Sequence, residues 1–286
     1  MDARVVLRAY HEQVRRCPQD LAPGYLVERE PGIVRLLRDT GGWAGVICTE
    51  LQGLDVERAI AAQIERFAGY TGRWEWKHYS YDEPAELPQR LLAAGFEAEP
   101  TEALLVAELT ELDLSVEPPP GIELVEVSDA ERARTLVALQ DEVFGSDSPG
   151  MAESLIAGLA REPAYVAATM ALADAEPIAG MRVEFEPGTD FASLWGGCTR
   201  ADWRGRGVAR ALLAHQAGLA AERGFRYLQA DASEMSEPIL KRVGFVELCK
   251  TTPYVIEPVR LLDLAGQSEQ GALGPAPDRT LGARGA

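Results

Sequence analysis

The sequence has no long apolar run, no paired cysteines, few histidines and no basic excess, and each lack excludes something. No stretch approaches the roughly 20 apolar residues that a spanning helix needs, so no membrane role is expected. The opening residues, MDARVVLRAYHEQVRR, have no apolar signal-peptide core, which makes the cytoplasm the expected location. Cys17, Cys48, Cys198 and Cys249 form no C-x-x-C pair, which argues against both a disulfide framework and a zinc site. His11, His78 and His215 are far apart and show no metal-ligand spacing, so no metal is expected. A net charge of −17 argues against a nucleic-acid partner, because neutralising phosphates takes a basic surface. The same charge suits a cationic substrate drawn to an acidic cleft, although plain solubility accounts for most of it.

What is present is concentrated between Phe191 and Phe245. Phe191 to Thr199 is apolar and ends in small residues, as a buried strand would. Arg204-Gly205-Arg206-Gly207-Val208-Ala209 follows, and then a helix with apolar residues at Val208, Leu212 and Leu219 and Gly224 as its C-terminal cap. The first N–H groups of a helix have no intrahelical partner and lie at the positive end of its dipole. Glycines at 205 and 207 allow close backbone approach, and Arg204, Arg206 and Arg210 add charge, so the turn predicts a phosphate or pyrophosphate site. A surface loop with scattered arginines explains a bare G-x-G equally well; the strand before and the helix after favour the functional reading.

Arg204-x-x-Gly207-x-Ala209 resembles the acyl-CoA pyrophosphate loop (Arg/Gln-x-x-Gly-x-Gly/Ala) of the GNAT superfamily of N-acetyltransferases. Thr199 to Trp203 looks like the segment leading into that loop. Ser233-x-x-Ser236 with Lys241-Arg-Val-Gly-Phe245 is similar to the family's last helix and Gly-Phe signature. The resemblance covers roughly the C-terminal half. It implies an α/β fold with a mixed sheet flanked by helices, and acetyl-CoA as co-substrate. Pantetheine would pair with the strand end at Gly197, Cys198 and Thr199, and the pyrophosphate would sit on Gly205, Arg206, Gly207, Val208, Ala209 and Arg210, with Arg204 and Ser233 beside it. The implied reaction is acetyl transfer to a primary amine of a small molecule or peptide.

The N-terminal half keeps the same order of elements. Cys48-Thr49 parallels Cys198-Thr199, Val56 parallels Val208, Asp82 parallels Asp231, and Leu91 to Phe96 parallels Leu240 to Phe245. Its counterpart of the phosphate loop, Glu50 to Val56, has one glycine, no arginine and two acids, and would repel an anion. The expectation is two tandem acetyltransferase-like domains. Residues 1–117 are the degenerate copy, 118–121 a proline-rich linker, 122–262 the acyl-CoA-binding domain and 263–286 a disordered tail. The first copy would pack against the second, complete the acceptor cleft or mediate a homodimer.

Strands are expected at Ile33–Leu37, Trp43–Cys48, Trp74–Tyr81, Thr101–Leu109, Ile122–Val127, Tyr165–Ala173, Ile178–Phe185 and 246–256. Helices are expected at Met1–Arg16, Val56–Gly69, Leu87–Ala94, Ala130–Phe144 and Met151–Arg161. Ser128 with Glu131 predicts a capping box, Gly41-Gly42 a tight turn, and Cys17 to Gly32 a turn-rich connection.

The residue that protonates the leaving thiolate is the departure from the family. Where a tyrosine commonly stands this chain has Leu240, and where an asparagine often precedes it the chain has Ser233. Ser236, Tyr254 and Cys249 are the candidate acids by proximity in the fold, and Glu184 the candidate base, although a solvated carboxylate beside Arg182 explains Glu184 equally. Asp231 could orient an acceptor or hold a loop. Cys198 has no activating partner in sequence and reads as a small buried strand residue. Trp74, Trp76, Tyr79 and Tyr81 read as core. The rival readings are a non-catalytic acyl-CoA-binding or interaction module, motivated by Leu240, and a phosphate-binding domain for another nucleotide.

Overall fold

The computed structural model describes residues 1–18, 24–38, 43–70, 73–148 and 150–256. The turn at Gly41-Gly42 and the tail expected to be disordered lie outside the described residues. Helix α1 (Ala3–Tyr10) is capped by the Asp2 carboxylate, buries Val6 and Tyr10, and runs on as a π-helical turn at His11–Arg16. Then come β1 (Tyr25–Glu30), β2 (Ile33–Arg38), β3 (Trp43–Thr49), α2 (Val56–Phe67), β4 (Arg73–Tyr79), α3 (Leu87–Ala93), β5 (Glu97–Ala98) and β6 (Glu102–Glu108). Beyond the proline-rich connector lie β7 (Ile122–Glu126), α4 (Ala130–Phe144), α5 (Met151–Leu159), β8 (Val166–Ala173), β9 (Glu176–Phe185) and β10 (Phe191–Thr199). They are followed by α6 (Val208–Glu222), β11 (Tyr227–Ala232), α7 (Glu237–Arg242) and β12 (Val246–Val255).

Two local expectations change. β1 falls within the stretch expected to be all turns. It is an outer strand, its Leu26 is exposed and its remaining residues are mostly charged, so it has no inward-outward alternation to read. The cap of α4 is Asp129, whose carboxylate accepts the Arg132 N–H at 2.9 Å, while Ser128 accepts only from the Arg132 side chain. Aspartate and serine cap about equally well, so the residue nearer the helix takes the position.

The strands form one mixed sheet in the order β1-β2-β3-β4-β12-β6-β11-β10-β9-β8-β7, with β5 pairing β12. Two parallel units, β3–α2–β4 and β10–α6–β11, are embedded in otherwise antiparallel ladders. The halves exchange strands: β6 lies between β11 and β12, and β12 lies between β4 and β6. The strand that would close each half against its own parallel pair is supplied by the other half.

The side chains follow this layout. Along β8, Ala167, Ala171 and Ala173 pack with α6 residues Leu212, Leu213 and Ala217, whereas Val166, Ala168 and Met170 pack with Leu136 of α4 and Leu155 of α5. The helices α6 and α4–α5 therefore cover opposite faces, as strand alternation requires. A separate cluster of Trp74, Trp76, Phe67, Leu87 and Leu91 holds α2 and α3 onto the N-terminal half. Tyr254 of β12 joins it.

A strong prediction arises from the exchange. Residues 1–117 and 118–286, expressed apart, each lack an interior strand and leave unpaired edges. We expect both to be aggregated or molten by circular dichroism and size exclusion, and co-expression to restore a stable complex.

Candidate acyl-CoA site

β10 and β11 are parallel and pair only from Phe191–Tyr227 to Ser193–Gln229. Past that rung β10 bulges between Trp195 and Cys198, and Gly196 takes a φ of +61°. Cys198 and Thr199 pair with Gly180 and Ala179 of β9 on one side. On the other side, among the described residues, they have no ladder partner on β11, and the two strand ends diverge. An exposed run of strand-like N–H and C=O groups facing a cleft is a receptor for an extended, amide-bearing ligand.

The bulge is fixed from α4. Gln140 is buried and its Nε2 donates to the Gly196 carbonyl at 2.7 Å. A β-carbon at Gly196 would collide with this same amide, so the position requires glycine for both its φ and its neighbour. Gln140→Ala leaves that carbonyl unpaired, which costs about 1–3 kcal/mol. We expect a lower melting temperature and weaker acetyl-CoA binding, read by thermal denaturation and calorimetry.

The loop after β10 leads into the N-terminus of α6. Arg204 is anchored by its Nε to the Thr199 carbonyl at 3.1 Å, and Arg206 lies over the Trp203 ring at 4.8 Å. Gly205 and Gly207 have φ of +73° and +88°, and Gly207 caps α6 without a side-chain bond. The first N–H groups of α6, on Val208, Ala209 and Arg210, therefore face outward without an intrahelical acceptor. Arg210 is 3.3 Å from Asp113, and Pro119 of the connector passes beside Gly207. Free N–H donors, a positive helix end and exposed Arg204 and Arg206 fit a pyrophosphate. Ser233 follows directly on β11 at the mouth of the same splay, where its Oγ is 3.2 Å from that of Ser236.

Gly197 to Thr199, the loop to Arg210, Ser233 and Ser236 thus all lie at the C-terminal ends of the parallel pair β10 and β11. The structure places Tyr254 elsewhere, buried under α2 and α3 against Trp74 and Trp76 and edge-on to His78 at 6.2 Å. Cys249 is buried in the cluster beneath α1, and burial pushes its thiol up to about 12. Burial likewise raises Cys198 to about 11, in keeping with a packing role. Leu240 packs into the core with α6.

On the face opposite α6, Glu184 sits beside Ser193 and is bound by Arg182 at 2.9 Å. Glu186, which the sequence did not single out, accepts from Tyr165 at 3.4 Å and from Ser193 at 3.3 Å, and Ser193 accepts from Gln229 at 2.6 Å. Burial, and then the nearby Glu184 charge, raise the Glu186 carboxyl to about 7. Only a folded view could find it, since the residues that perturb it come from two strands and the loop before β8.

Asp231 is also accounted for. Its Oδ2 meets Lys77 Nζ of β4 at 2.5 Å, both side chains largely buried, so the acid ties the two halves together. Burial pulls the ammonium down, but Asp231, Tyr10 and Glu75 together outweigh that and the Lys77 pKa ends above its usual value.

Residues 132–245 match the model of the acetyltransferase (GNAT) family. They form a GNAT acetyltransferase domain. Members of this family are acyl-CoA-dependent N-acetyltransferases. No curated protein matches the sequence. Among solved structures, the chain is similar to a GCN5-related N-acetyltransferase from Kribbella flavida, with a TM-score of 0.66 and 18% identity over 90% of this chain and 95% of that one. A GCN5-related N-acetyltransferase from Sphaerobacter thermophilus gives a TM-score of 0.60 and 15% identity over 90% and 91%. A tandem GNAT protein from the clavulanic acid biosynthesis pathway gives 0.56 and 15% over 83% and 85%. At these identities the likeness is one of fold. No described helix is long and apolar enough to cross a membrane.

Proposed function

We propose that the chain transfers an acetyl group from acetyl-CoA to a primary amine of a small molecule or peptide, with all the chemistry in its C-terminal half. The observation that carries this reading is the divergence of β10 from β11 directly before the Gly205–Gly207 loop. Gly197, Cys198 and Thr199 would pair with the pantetheine amides, and the N–H groups of Val208, Ala209 and Arg210 would hold the pyrophosphate. Bound acetyl-CoA supplies an electrophilic thioester carbonyl; the chain's task is to align an amine with it and take up the amine's proton.

For that proton Glu186 suits better than Glu184. Glu184 is engaged by Arg182, whereas the Glu186 carboxyl is raised to about 7 and accepts from Ser193, which stands on the last β10–β11 rung before the strands part. The rate should therefore rise with pH through about 7, and Glu186→Gln should remove that limb of the profile. The stability effect has the opposite sign. A carboxyl raised in the fold binds its proton more tightly there than in the unfolded chain, so its contribution is lost as pH rises toward about 7. Glu186→Gln should flatten that fall in denaturant titrations. Ser236, at the mouth of the cleft, is the remaining acid candidate for the leaving thiolate.

We read the N-terminal half as a degenerate copy that binds no acyl-CoA. Its β3 and β4 also diverge, but Arg15 fills the gap. Arg15 donates to the Ile47 carbonyl of β3 at 2.9 Å and to both Asp82 carboxylate oxygens after β4, at 2.8 and 3.0 Å. The backbone edge that a second pantetheine would use is taken. Calorimetry should give one acetyl-CoA per chain.

Leu240, buried where the family commonly has its acid, favours a second reading, an acyl-CoA-binding module without turnover. Release of CoA in the presence of an amine panel separates the two.

A further inference from the structure

Three metal-ligating side chains that are separate in sequence meet in the N-terminal half. His11 comes from the π-helical turn after α1, and Cys48 and Glu50 stand at and just beyond the end of β3. One ligand atom from each lies within 4.8 Å of the other two. His11 Nε2 is already 3.3 Å from Glu50 Oε1. Around zinc, with bonds of about 2.0–2.3 Å, tetrahedral ligands stand roughly 3.3–3.8 Å apart, so small side-chain rotations complete the set. A nitrogen, a sulfur and an oxygen donor together suit zinc and disfavour magnesium or calcium.

The surroundings add two independent features. A cavity of about 670 Å³ opens on His11, Thr49 and Glu50 from the side of Arg4 and Arg8, giving an ion its entry path and a free coordination position. The second ring nitrogen is also provided for. His11 Nδ1 is 3.3 Å from both the Tyr81 hydroxyl oxygen and Arg15 Nη1, and Tyr81 accepts an Arg15 N–H at 2.6 Å. With Nε2 on a metal, Nδ1 carries the proton and donates to Tyr81, an outer contact of the kind that fixes the tautomer of a ligating imidazole, while Arg15 Nη1 keeps its bonds to Tyr81 and Asp82. The Arg15 charge beside the site is matched by its two bonds to Asp82.

We propose that His11, Cys48 and Glu50 form a zinc-type site with a fourth position open to this cavity. As the sulfur–metal bond forms, the Cys48 thiol gives its proton to solvent, and thiolate and carboxylate together balance the 2+ charge. This site is separate from the acyl-CoA cleft and stands or falls without it.

Cobalt(II) is the probe, titrated into the reduced, metal-free full chain. We expect one equivalent to bind with a thiolate-to-cobalt charge-transfer band that zinc displaces. Cys48→Ser should abolish the band, while Cys17→Ser and Cys249→Ser keep it. Because Cys48 is buried, His11→Ala is the second variant, and it should weaken cobalt binding at least about tenfold with an unchanged circular dichroism spectrum. A wild type without the band, a band that survives Cys48→Ser, or wild-type affinity in His11→Ala overturns the proposal.

Discussion

Gly207→Glu is expected to weaken acetyl-CoA binding at least about a hundredfold while the chain stays folded. The cost at the site is electrostatic: unit charges about 4 Å apart at an effective dielectric near 20 interact by about 4 kcal/mol, here with unfavourable sign. The carboxylate would stand at the N-terminus of α6, where the N–H groups of Val208 to Arg210 await an anion. The cost to the fold is smaller. A β-carbon at Gly207 meets only Pro119 at 3.7 Å, and the φ of +88° penalises a side chain by about 1–2 kcal/mol. Gly207→Ala separates the contributions, since it carries the backbone penalty without the charge. Its binding should fall far less than that of Gly207→Glu, as measured by calorimetric titration.

The second large effect is on stability. Arg15 and Asp82 are both almost completely buried, at 1% side-chain exposure each. The guanidinium also lies 3.6 Å over the Tyr79 ring. Asp82 further accepts the Tyr79 backbone N–H at 3.0 Å. Removing one member strands a charge in the interior, which costs about 3–5 kcal/mol. Asp82→Ala should lower the melting temperature by roughly 10 °C. Replacing both, as Arg15→Met with Asp82→Leu, should recover much of the loss, because a well-packed apolar pair has no desolvation penalty. Neither change should create a second acetyl-CoA site, since Glu50 and Asp55 still occupy the loop where a pyrophosphate would lie.

These two predictions also mark where the sequence could be read and where it could not. The elements of the proposed acyl-CoA site were legible because their pattern is local. Strand, glycine turn and helix N-terminus are contiguous from Phe191 to Glu222. The parallel β-α-β order of the N-terminal half was legible for the same reason. Arg15 was not, because its partners Ile47 and Asp82 are distant in sequence and nothing local distinguishes it from the neighbouring Arg16. The exchange of β6 and β12 was equally hidden, since Glu102–Glu108 and Val246–Val255 read as strands whatever they pair with. Tyr254 shows the consequence. Placed by its position in the C-terminal half, it was a candidate for the cleft, but the exchange carries its strand beside β4 and its ring into the other core. The convergence of His11 with Cys48 and Glu50, and of Tyr165 and Ser193 on Glu186, likewise depends on packing between elements.

The most direct test of the central claim is the release of CoA from acetyl-CoA with a panel of primary amines, measured for the wild type and for Gly207→Glu. The account predicts amine-dependent release by the wild type and none above background by the variant. Tight binding of acetyl-CoA by the wild type with no release across the panel, or equal release by both proteins, would contradict it.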